Sequence, residues 1–90
     1  MEFEWDDEKA AINEAKHKVT FAEAATVFTD WLSDTNPDFW HSFDEERFLT
    51  IGKSAQDRIL VVSHTDREGK IRLISAREAT PAERRGYEDG

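Results

Sequence analysis

Apolar and polar residues alternate most clearly in the second half of the chain. The alternation predicts three strands, at residues 47–51, 58–65 and 71–77. The segments between them are short and rich in turn residues, so we expect hairpins and an antiparallel meander. Both faces of the middle strand are largely apolar, and one layer of helices covers only one face. The second face is therefore expected to be covered by the C-terminal helix, by the aromatic segment described below, or by another chain.

Two helices are predicted before these strands. A short strand at residues 3–5 is followed by an acidic turn, which is typical of a helix start, and the first helix is expected to end near His17. Thr20 and Glu23 stand at the spacing of a capping box, so a second helix begins there and runs to about residue 28.

A short C-terminal helix is predicted at residues 81–88, because Thr80, Pro81 and Glu83 supply an N-cap, a first-position proline and a capping box. The predicted fold class is α+β, a small antiparallel β-sheet meander with two N-terminal helices and a short C-terminal helix. We expect one domain over residues 1–90.

The segment at residues 29–45 is polar but carries large aromatic residues, among them Trp31, Phe39 and Trp40. Pro37 and several Asp, Asn and Ser residues predict a loop. The aromatic side chains either cap the open end of the core or form a recognition surface. Core coverage is the favoured interpretation, because Trp and Phe are costly to leave in water.

Charge is distributed unevenly along the chain, whose formal net charge is -8. Residues 1–46 hold 3 Lys and Arg against 13 Asp and Glu, whereas residues 47–90 hold 9 against 7. This asymmetry allows a local cationic site in the second half, or the binding of a basic protein by the acidic half. No apolar run approaches the roughly 20 residues of a membrane span, and no signal-peptide pattern begins the sequence, so a cytoplasmic location is expected.

Metal and cofactor chemistry is not indicated by the sequence. The chain has no cysteine, and its three histidines, His17, His41 and His64, fall on separate predicted elements. The four glycines are scattered and form no phosphate-binding loop. We therefore expect no metal site and no nucleotide cofactor.

A set of arginine, histidine and glutamate residues could gather at one end of the meander. They are Glu46, Arg47, His64, Arg67, Arg72 and Arg77. Cleavage of a phosphodiester without metal requires a base, cations that bind the phosphate, and an acid for the leaving oxygen. Spacing alone supports this chemistry only weakly, because many small acidic domains contain as many such residues.

The candidate residues Arg77 and His17 each have two interpretations. Strand alternation predicts that Arg72 and Arg77 lie on opposite faces of the sheet. Arg77 is either a residue at the rim of the core, paired with a carboxylate, or a clamp for phosphate. His17, in the last turn of its helix, is either a partner of the helix dipole or a functional residue.

Ordered motifs along nearly the whole chain resemble the BrnT family of toxins. They include Phe3-x-Trp5-Asp6, Lys16-His17, Glu45-Glu46-Arg47-Phe48, Ile51-Gly52 and the run Ile-Arg-Leu-Ile-Ser-Ala-Arg-Glu-Ala-Thr at residues 71–80. The resemblance implies a RelE-like fold, a ribonuclease of a type II toxin–antitoxin system that arrests translation, and neutralisation by a BrnA antitoxin. Lys18 departs from the family, which commonly has glycine after Lys-His.

The resulting site predictions fall into three groups. His17, Glu46 and Arg77 are predicted to be catalytic, without a choice of general base. Arg47, His64, Arg67 and Arg72 are predicted to bind RNA. Trp31, Phe39 and Trp40 are predicted to bind the antitoxin, in a hetero-oligomer, because exposed apolar surface commonly marks an interface.

Two other functions remain open at this point. The chain could be a catalytically weak relative that acts mainly as a protein-binding module for its antitoxin, or an unrelated small α+β domain. The feature that separates an active enzyme from a binding module is the grouping of His17, Glu46 and Arg77, which an inactive relative has no need to keep on one surface. A small neighbouring reading frame with a DNA-binding motif would disfavour the unrelated domain.

Overall fold

The computed structural model describes residues 1–90 and contains three helices and a five-stranded sheet. The elements in chain order are β1 (Phe3–Glu4), α1 (Asp7–His17), α2 (Phe21–Thr26), β2 (Asp34–Pro37), β3 (Phe48–Lys53), β4 (Ile59–Arg67), β5 (Lys70–Glu78) and α3 (Pro81–Asp89). Single 3-10 turns lie at Val27–Thr29 and Phe39–His41. None of the helices has the length and apolar content needed to cross a membrane.

The sheet has the strand order β1-β5-β4-β3-β2. Strands β3, β4 and β5 form the predicted antiparallel meander, and the predicted α+β fold class is confirmed. The sheet as a whole is mixed, because β1 runs parallel to β5 with Phe3 opposite Ile71. The predicted loop at residues 29–45 contains a strand, since β2 pairs antiparallel with β3. β2 has the sequence Asp-Thr-Asn-Pro and no apolar alternation. Its pairing with β3 depends on the backbone hydrogen bonds and on the contact between the Thr35 and Thr50 hydroxyls at 2.7 Å.

One face of the sheet, here the first face, packs against α1 and α2. Its core cluster consists of Val19, Phe21, Ala24, Val27, Leu60, Val62, Leu73 and Ala76, all of them buried. Each large apolar side chain in such a cluster contributes about 1.5–3 kcal/mol of burial energy. The first face therefore supplies most of the stability of the fold.

The opposite face, here the second face, carries a smaller apolar cluster. Ile59 and Val61 pack with Ala79, and Tyr87 of α3 lies against them. The Tyr87 hydroxyl donates a hydrogen bond to Asp30, which fixes α3 to the segment before β2 and raises the pKa of Tyr87 to about 12. Of the three covers expected for this face, α3 is the one observed, and it leaves part of the face open.

A bulge in β5 changes which face its arginines occupy. Ser63 lies opposite Ser75 and His64 lies opposite Leu73, so Ile74 is an extra residue in β5. Arg72 lies opposite Thr65 and Arg77 lies opposite Val61. Since these two partners are four residues apart on β4, both arginines lie on the second face. The prediction that they lie on opposite faces was wrong, because the bulge shifts the alternation by one residue.

Candidate active site

A cavity of about 430 Å³ opens on the uncovered part of the second face. Its floor is formed by Leu49, Ser63 and Ser75, which pair side by side on β3, β4 and β5. The two serine side chains are small, so they leave space above the sheet. Arg47 and Arg77 line the same cavity, from the start of β3 and the end of β5.

Arg47 has no acidic partner in the structure. Its side chain forms no ion pair, and its Nε atom is buried without a hydrogen-bond acceptor. A buried donor that lacks an acceptor costs about 1–3 kcal/mol. An anion that enters the cavity would supply the acceptor and neutralise the guanidinium charge.

Arg77 is held in place by a bidentate ion pair with Glu83 of α3. Nη1 lies 2.8 Å from Oε1, and Nη2 lies 3.0 Å from Oε2. The hydrogen bonds from Arg77 lower the pKa of Glu83 to about 2. Glu83 also accepts a hydrogen bond from the backbone of Thr80, which completes the predicted capping box. The carboxylate partner expected for Arg77 is thus present, and Arg77 is also among the residues that line the cavity.

A tight turn at residues 38–42 forms another wall of the cavity. The Asp38 backbone N–H donates to the Arg47 carbonyl oxygen at 2.8 Å. The Ser42 hydroxyl donates to the Asp38 carbonyl oxygen at 2.7 Å and accepts from the Arg47 backbone N–H at 2.9 Å. These bonds fix the turn to the first residues of β3, so its side chains have a defined position relative to Arg47.

His41 lies on this turn and lines the cavity. Its Nδ1 atom is 2.8 Å from Oδ2 of Asp38. Sequence reasoning treated His41 only as an isolated histidine and missed this pair. A carboxylate and an imidazole three residues apart, shortly before Arg47, were the available signal.

The predicted grouping of His17, Glu46 and Arg77 does not form at this cavity. His17 ends α1, in the helix layer that covers the first face, whereas Arg77 lies on the second face. Glu46 precedes β3, and its carbonyl oxygen accepts a hydrogen bond from the Thr65 hydroxyl. Neither His17 nor Glu46 is among the residues that line the cavity.

His64 is not placed to bind RNA. It is buried on the first face, with its ring centroid 4.9 Å from that of Phe28 and 5.8 Å from that of Phe48. Its Nε2 atom is 2.7 Å from the Thr50 hydroxyl, and its Nδ1 atom has no partner. Burial lowers the pKa of His64, so the ring is a neutral core residue. The structure therefore does not present the His64 side chain for the predicted contact with RNA.

Arg67 and Arg72 each have a carboxylate partner outside the cavity. Arg72 Nη1 lies 2.9 Å from Glu4 on β1, and Arg67 Nη2 lies 3.4 Å from Glu45. Both pairs are partly open to solvent, so the arginines could exchange partners with a phosphate. The structure brings neither of them into the lining of the cavity.

The aromatic segment does not cover the core. Trp31, Phe39 and Trp40 are 91%, 82% and 82% exposed, so the favoured interpretation of core coverage was wrong. Trp40 lines the cavity that contains Arg47. Trp31 lines a second cavity, of about 690 Å³, that lies between β2, β3 and α3. Exposed aromatic rings at the mouths of two cavities indicate a binding surface.

The side chains form no group of three or more His, Asp or Glu residues that could hold a metal ion. At the cavity itself, Asp38 is already bound to His41, and the nearby charges are arginines. This arrangement favours an anionic ligand over a cation.

Comparison with known proteins identifies the family of this chain. The family model described as "Ribonuclease toxin, BrnT, of type II toxin-antitoxin system" matches residues 5–83. The crystal structure of the Brucella abortus ribonuclease toxin BrnT is similar, with a TM-score of 0.69 and 24% sequence identity over 89% of this chain and 97% of that chain. No curated protein matches. Because the family model spans most of the chain, the protein belongs to the BrnT family of ribonuclease toxins of type II toxin–antitoxin systems.

Proposed function

We propose that this protein is a cytoplasmic, metal-independent endoribonuclease that inhibits translation and is neutralised by a BrnA-like antitoxin. The reaction is a transesterification in which the ribose 2′-oxygen attacks the adjacent phosphorus. It leaves a 2′,3′-cyclic phosphate on one fragment and a 5′-hydroxyl on the other. The observation that supports the proposal is the free guanidinium of Arg47, which shares a cavity with Arg77.

Charge at the phosphate is the main obstacle that this reaction must overcome. The phosphorane-like transition state carries more negative charge on its oxygens than the substrate does. Arginine matches phosphate with parallel N–H donors, and a donor fixed before the reaction needs no reorganisation. Arg47 supplies an unpaired positive charge, and Arg77 supplies a guanidinium whose position Glu83 fixes.

The surroundings of the cavity suit a single strand of RNA. The exposed Trp40 ring lines the cavity, where an unpaired base could stack on it. Stacking of a base on an aromatic ring contributes about 1–3 kcal/mol. The roles of His17 and Glu46 rest on the family resemblance alone, and the positions of these residues favour Arg47 and Arg77 over them.

The proposal is tested with purified protein and a short unstructured oligoribonucleotide. Arg47→Ala and Arg77→Ala should each slow cleavage by about 10²- to 10³-fold, because each removes a donor to the developing charge. Arg85→Ala, an exposed arginine of α3, is the matched control and should cleave like the wild type. Cleavage should persist in excess chelator and give cyclic phosphate ends. Products with 5′-phosphate ends would instead indicate hydrolysis by metal-bound water.

Antitoxin binding is the second part of the proposal. The exposed aromatic residues Trp31, Phe39 and Trp40 would be covered by a segment of the antitoxin, which would also enter the cavity and contact Arg47. Acidic residues on that segment would complement the guanidinium, so inhibition would be both steric and electrostatic. The complex would be a hetero-oligomer.

A catalytically weak, antitoxin-binding relative is the alternative function. It is favoured by the extent of the exposed apolar surface, which also includes Leu32 and Phe43. The two functions separate in the cleavage assay. A wild-type chain that binds antitoxin but leaves RNA intact would be a binding module.

A further inference from the structure

We propose that His41 is the general base of this ribonuclease and that Asp38 is its positioning residue. The inference deepens the proposed function and rests on it, since it assigns a role in the RNA-cleavage reaction. Neither residue belongs to the set that the sequence predicted to be catalytic. The structural observation is the contact between a nearly buried carboxylate and an accessible imidazole at the edge of the cavity that holds both arginines.

The contact between Asp38 and His41 has the geometry that orients a base. The Asp38 side chain is 9% exposed and the His41 side chain is 65% exposed. Asp38 Oδ2 accepts the hydrogen bond from Nδ1 of His41 at 2.8 Å. A proton held on Nδ1 leaves Nε2 without a proton, so Nε2 can accept one from a substrate. The carboxylate also stabilises the imidazolium that forms, as in other carboxylate–imidazole pairs.

The position of the imidazole is fixed relative to the phosphate site. Asp38 bonds through its backbone to Arg47, and Ser42 bonds to both of these residues. A base and a cation on one short hydrogen-bonded segment keep their separation when substrate binds, which is the requirement for an oriented reaction. The charged residues that line the cavity together with His41 are Asp38 on its own turn, Arg47 just before β3 and Arg77 near the end of β5.

In the assigned step, His41 accepts a proton as the 2′-oxygen attacks phosphorus. The 2′-hydroxyl proton moves to Nε2 of His41, and the 2′-oxygen forms a bond to phosphorus. The bond between phosphorus and the 5′-oxygen breaks, and that oxygen takes a proton from water. The imidazolium then returns its proton to solvent. Arg47 and Arg77 neutralise the phosphoryl oxygens throughout the step.

A purely structural role is the competing explanation, because the same hydrogen bond would hold the turn together. Three variants separate the two roles. His41→Ala removes the base, His41→Gln keeps a hydrogen-bonding side chain without a base, and Asp38→Asn removes the charge that supports the imidazolium. Each is compared with the wild type in thermal unfolding, in affinity for an oligoribonucleotide with a 2′-deoxy group at the cleavage position, and in rate of RNA cleavage across pH.

If His41 is the base, His41→Ala and His41→Gln should both lose about 10²- to 10⁴-fold in cleavage rate while they keep their affinity for the 2′-deoxy oligonucleotide. Free imidazole should restore part of the rate of His41→Ala. Asp38→Asn should slow cleavage without loss of affinity for the 2′-deoxy oligonucleotide, because an uncharged amide no longer fixes the proton on Nδ1 or stabilises the imidazolium that forms.

Full activity in His41→Gln would overturn the inference, and so would failure of imidazole to restore a folded His41→Ala. Loss of activity in His17→Ala with none in His41→Ala would reassign the base to His17. If one of these outcomes occurs while Arg47→Ala still slows RNA cleavage, only the role of His41 is refuted and the proposed function stands. A wild-type chain that cleaves no RNA would refute both.

Discussion

The side chain of Asn13 hydrogen-bonds to both polar groups of the Ala76 backbone. Its Nδ2 donates to the Ala76 carbonyl oxygen at 2.9 Å, and its Oδ1 accepts from the Ala76 N–H at 3.0 Å. The same Nδ2 donates to the Val19 carbonyl oxygen at 2.9 Å. β1 pairs only with the first part of β5, so Asn13 takes the place of a neighbouring strand next to Arg77.

Asn13→Ala should lower the free energy of unfolding by about 2–4 kcal/mol. The substitution leaves buried backbone groups of Ala76 and Val19 without partners, and each such group costs about 1–3 kcal/mol. Urea unfolding followed by circular dichroism measures the effect. Glu14→Ala, at the exposed neighbouring position, is the control and should change the stability by less than about 0.5 kcal/mol. Equal stability of both variants would show that Asn13 does not hold β5.

Lys18 ends α1 in the left-handed conformation, with φ 60° and ψ 33°. The helix therefore closes as it would with glycine, although lysine occupies the position. The left-handed conformation costs an L-residue such as lysine about 1–2 kcal/mol, and glycine avoids this cost. Glycine loses more backbone entropy on folding, which offsets part of the gain. Lys18→Gly should raise the free energy of unfolding by about 0.5–1 kcal/mol.

The matched control is Lys16→Gly, within the last turn of α1, which should destabilise the protein by about 1 kcal/mol. Both values come from denaturant unfolding at a single pH. A destabilised Lys18→Gly would mean that the hydrogen bond from Lys18 Nζ to the Ala15 carbonyl oxygen matters more than the backbone strain.

Local sequence signals predicted the helices well, and long-range pairing explains what they missed. Thr20 and Thr80 each cap a helix where the sequence indicated, because a cap depends on residues three positions apart. β2 was missed because only its register with β3 defines it as a strand. The bulge at Ile74 carries no turn residue, so strand alternation placed Arg72 and Arg77 on opposite faces instead of the same one.

The candidate site was predictable only in part for the same reason. Arg47 and Arg77 were candidates from their charge and from the family resemblance, and the fold places them in one cavity. His41 depends on the conformation of a polar turn, which no periodicity reveals. His64 carries the same chemical groups as a functional histidine, and only its burial between Phe28 and Phe48 excludes that role.

His64 should make the stability of the protein sensitive to mild acid. Burial lowers the pKa of His64 more than the charge of Asp66 raises it. In the unfolded chain the His64 ring binds a proton near pH 6.5, whereas in the folded chain it binds one only at lower pH. The contribution of His64 to the free energy of unfolding is therefore fully present above about pH 6.5. It is lost as the pH falls below that value, with a slope of up to about 1.4 kcal/mol per pH unit.

His64→Phe should remove this part of the slope. Phenylalanine suits a site between Phe28 and Phe48, and Thr50 retains the Thr35 hydroxyl at 2.7 Å as a partner. Urea unfolding at a series of pH values from 7.5 to 5 is the measurement, as the interval spans the ordinary pKa of histidine of about 6.5. His17→Gln is the control and should keep the slope. An unchanged slope in His64→Phe would place the acid sensitivity elsewhere.

Trp31→Ala and Trp40→Ala should weaken antitoxin binding without destabilising the toxin. Both rings are almost fully exposed, so their removal should change the free energy of unfolding by no more than about 0.5 kcal/mol. At the centre of an interface, loss of a tryptophan commonly costs about 2 kcal/mol or more, which is roughly a 30-fold increase in Kd. Titration calorimetry with the antitoxin from the neighbouring reading frame measures this effect.

The two tryptophans need not behave alike in this titration, because they line different cavities. Trp40 lies beside Arg47, so Trp40→Ala should weaken both antitoxin binding and RNA affinity. Trp31 lies next to α3 and Leu32, away from the phosphate site, so Trp31→Ala should weaken antitoxin binding alone. Glu88→Ala, an exposed position of α3, serves as the control for both variants. An unchanged Kd in both tryptophan variants would remove the aromatic segment from the antitoxin interface and leave RNA as the only partner proposed for Trp40.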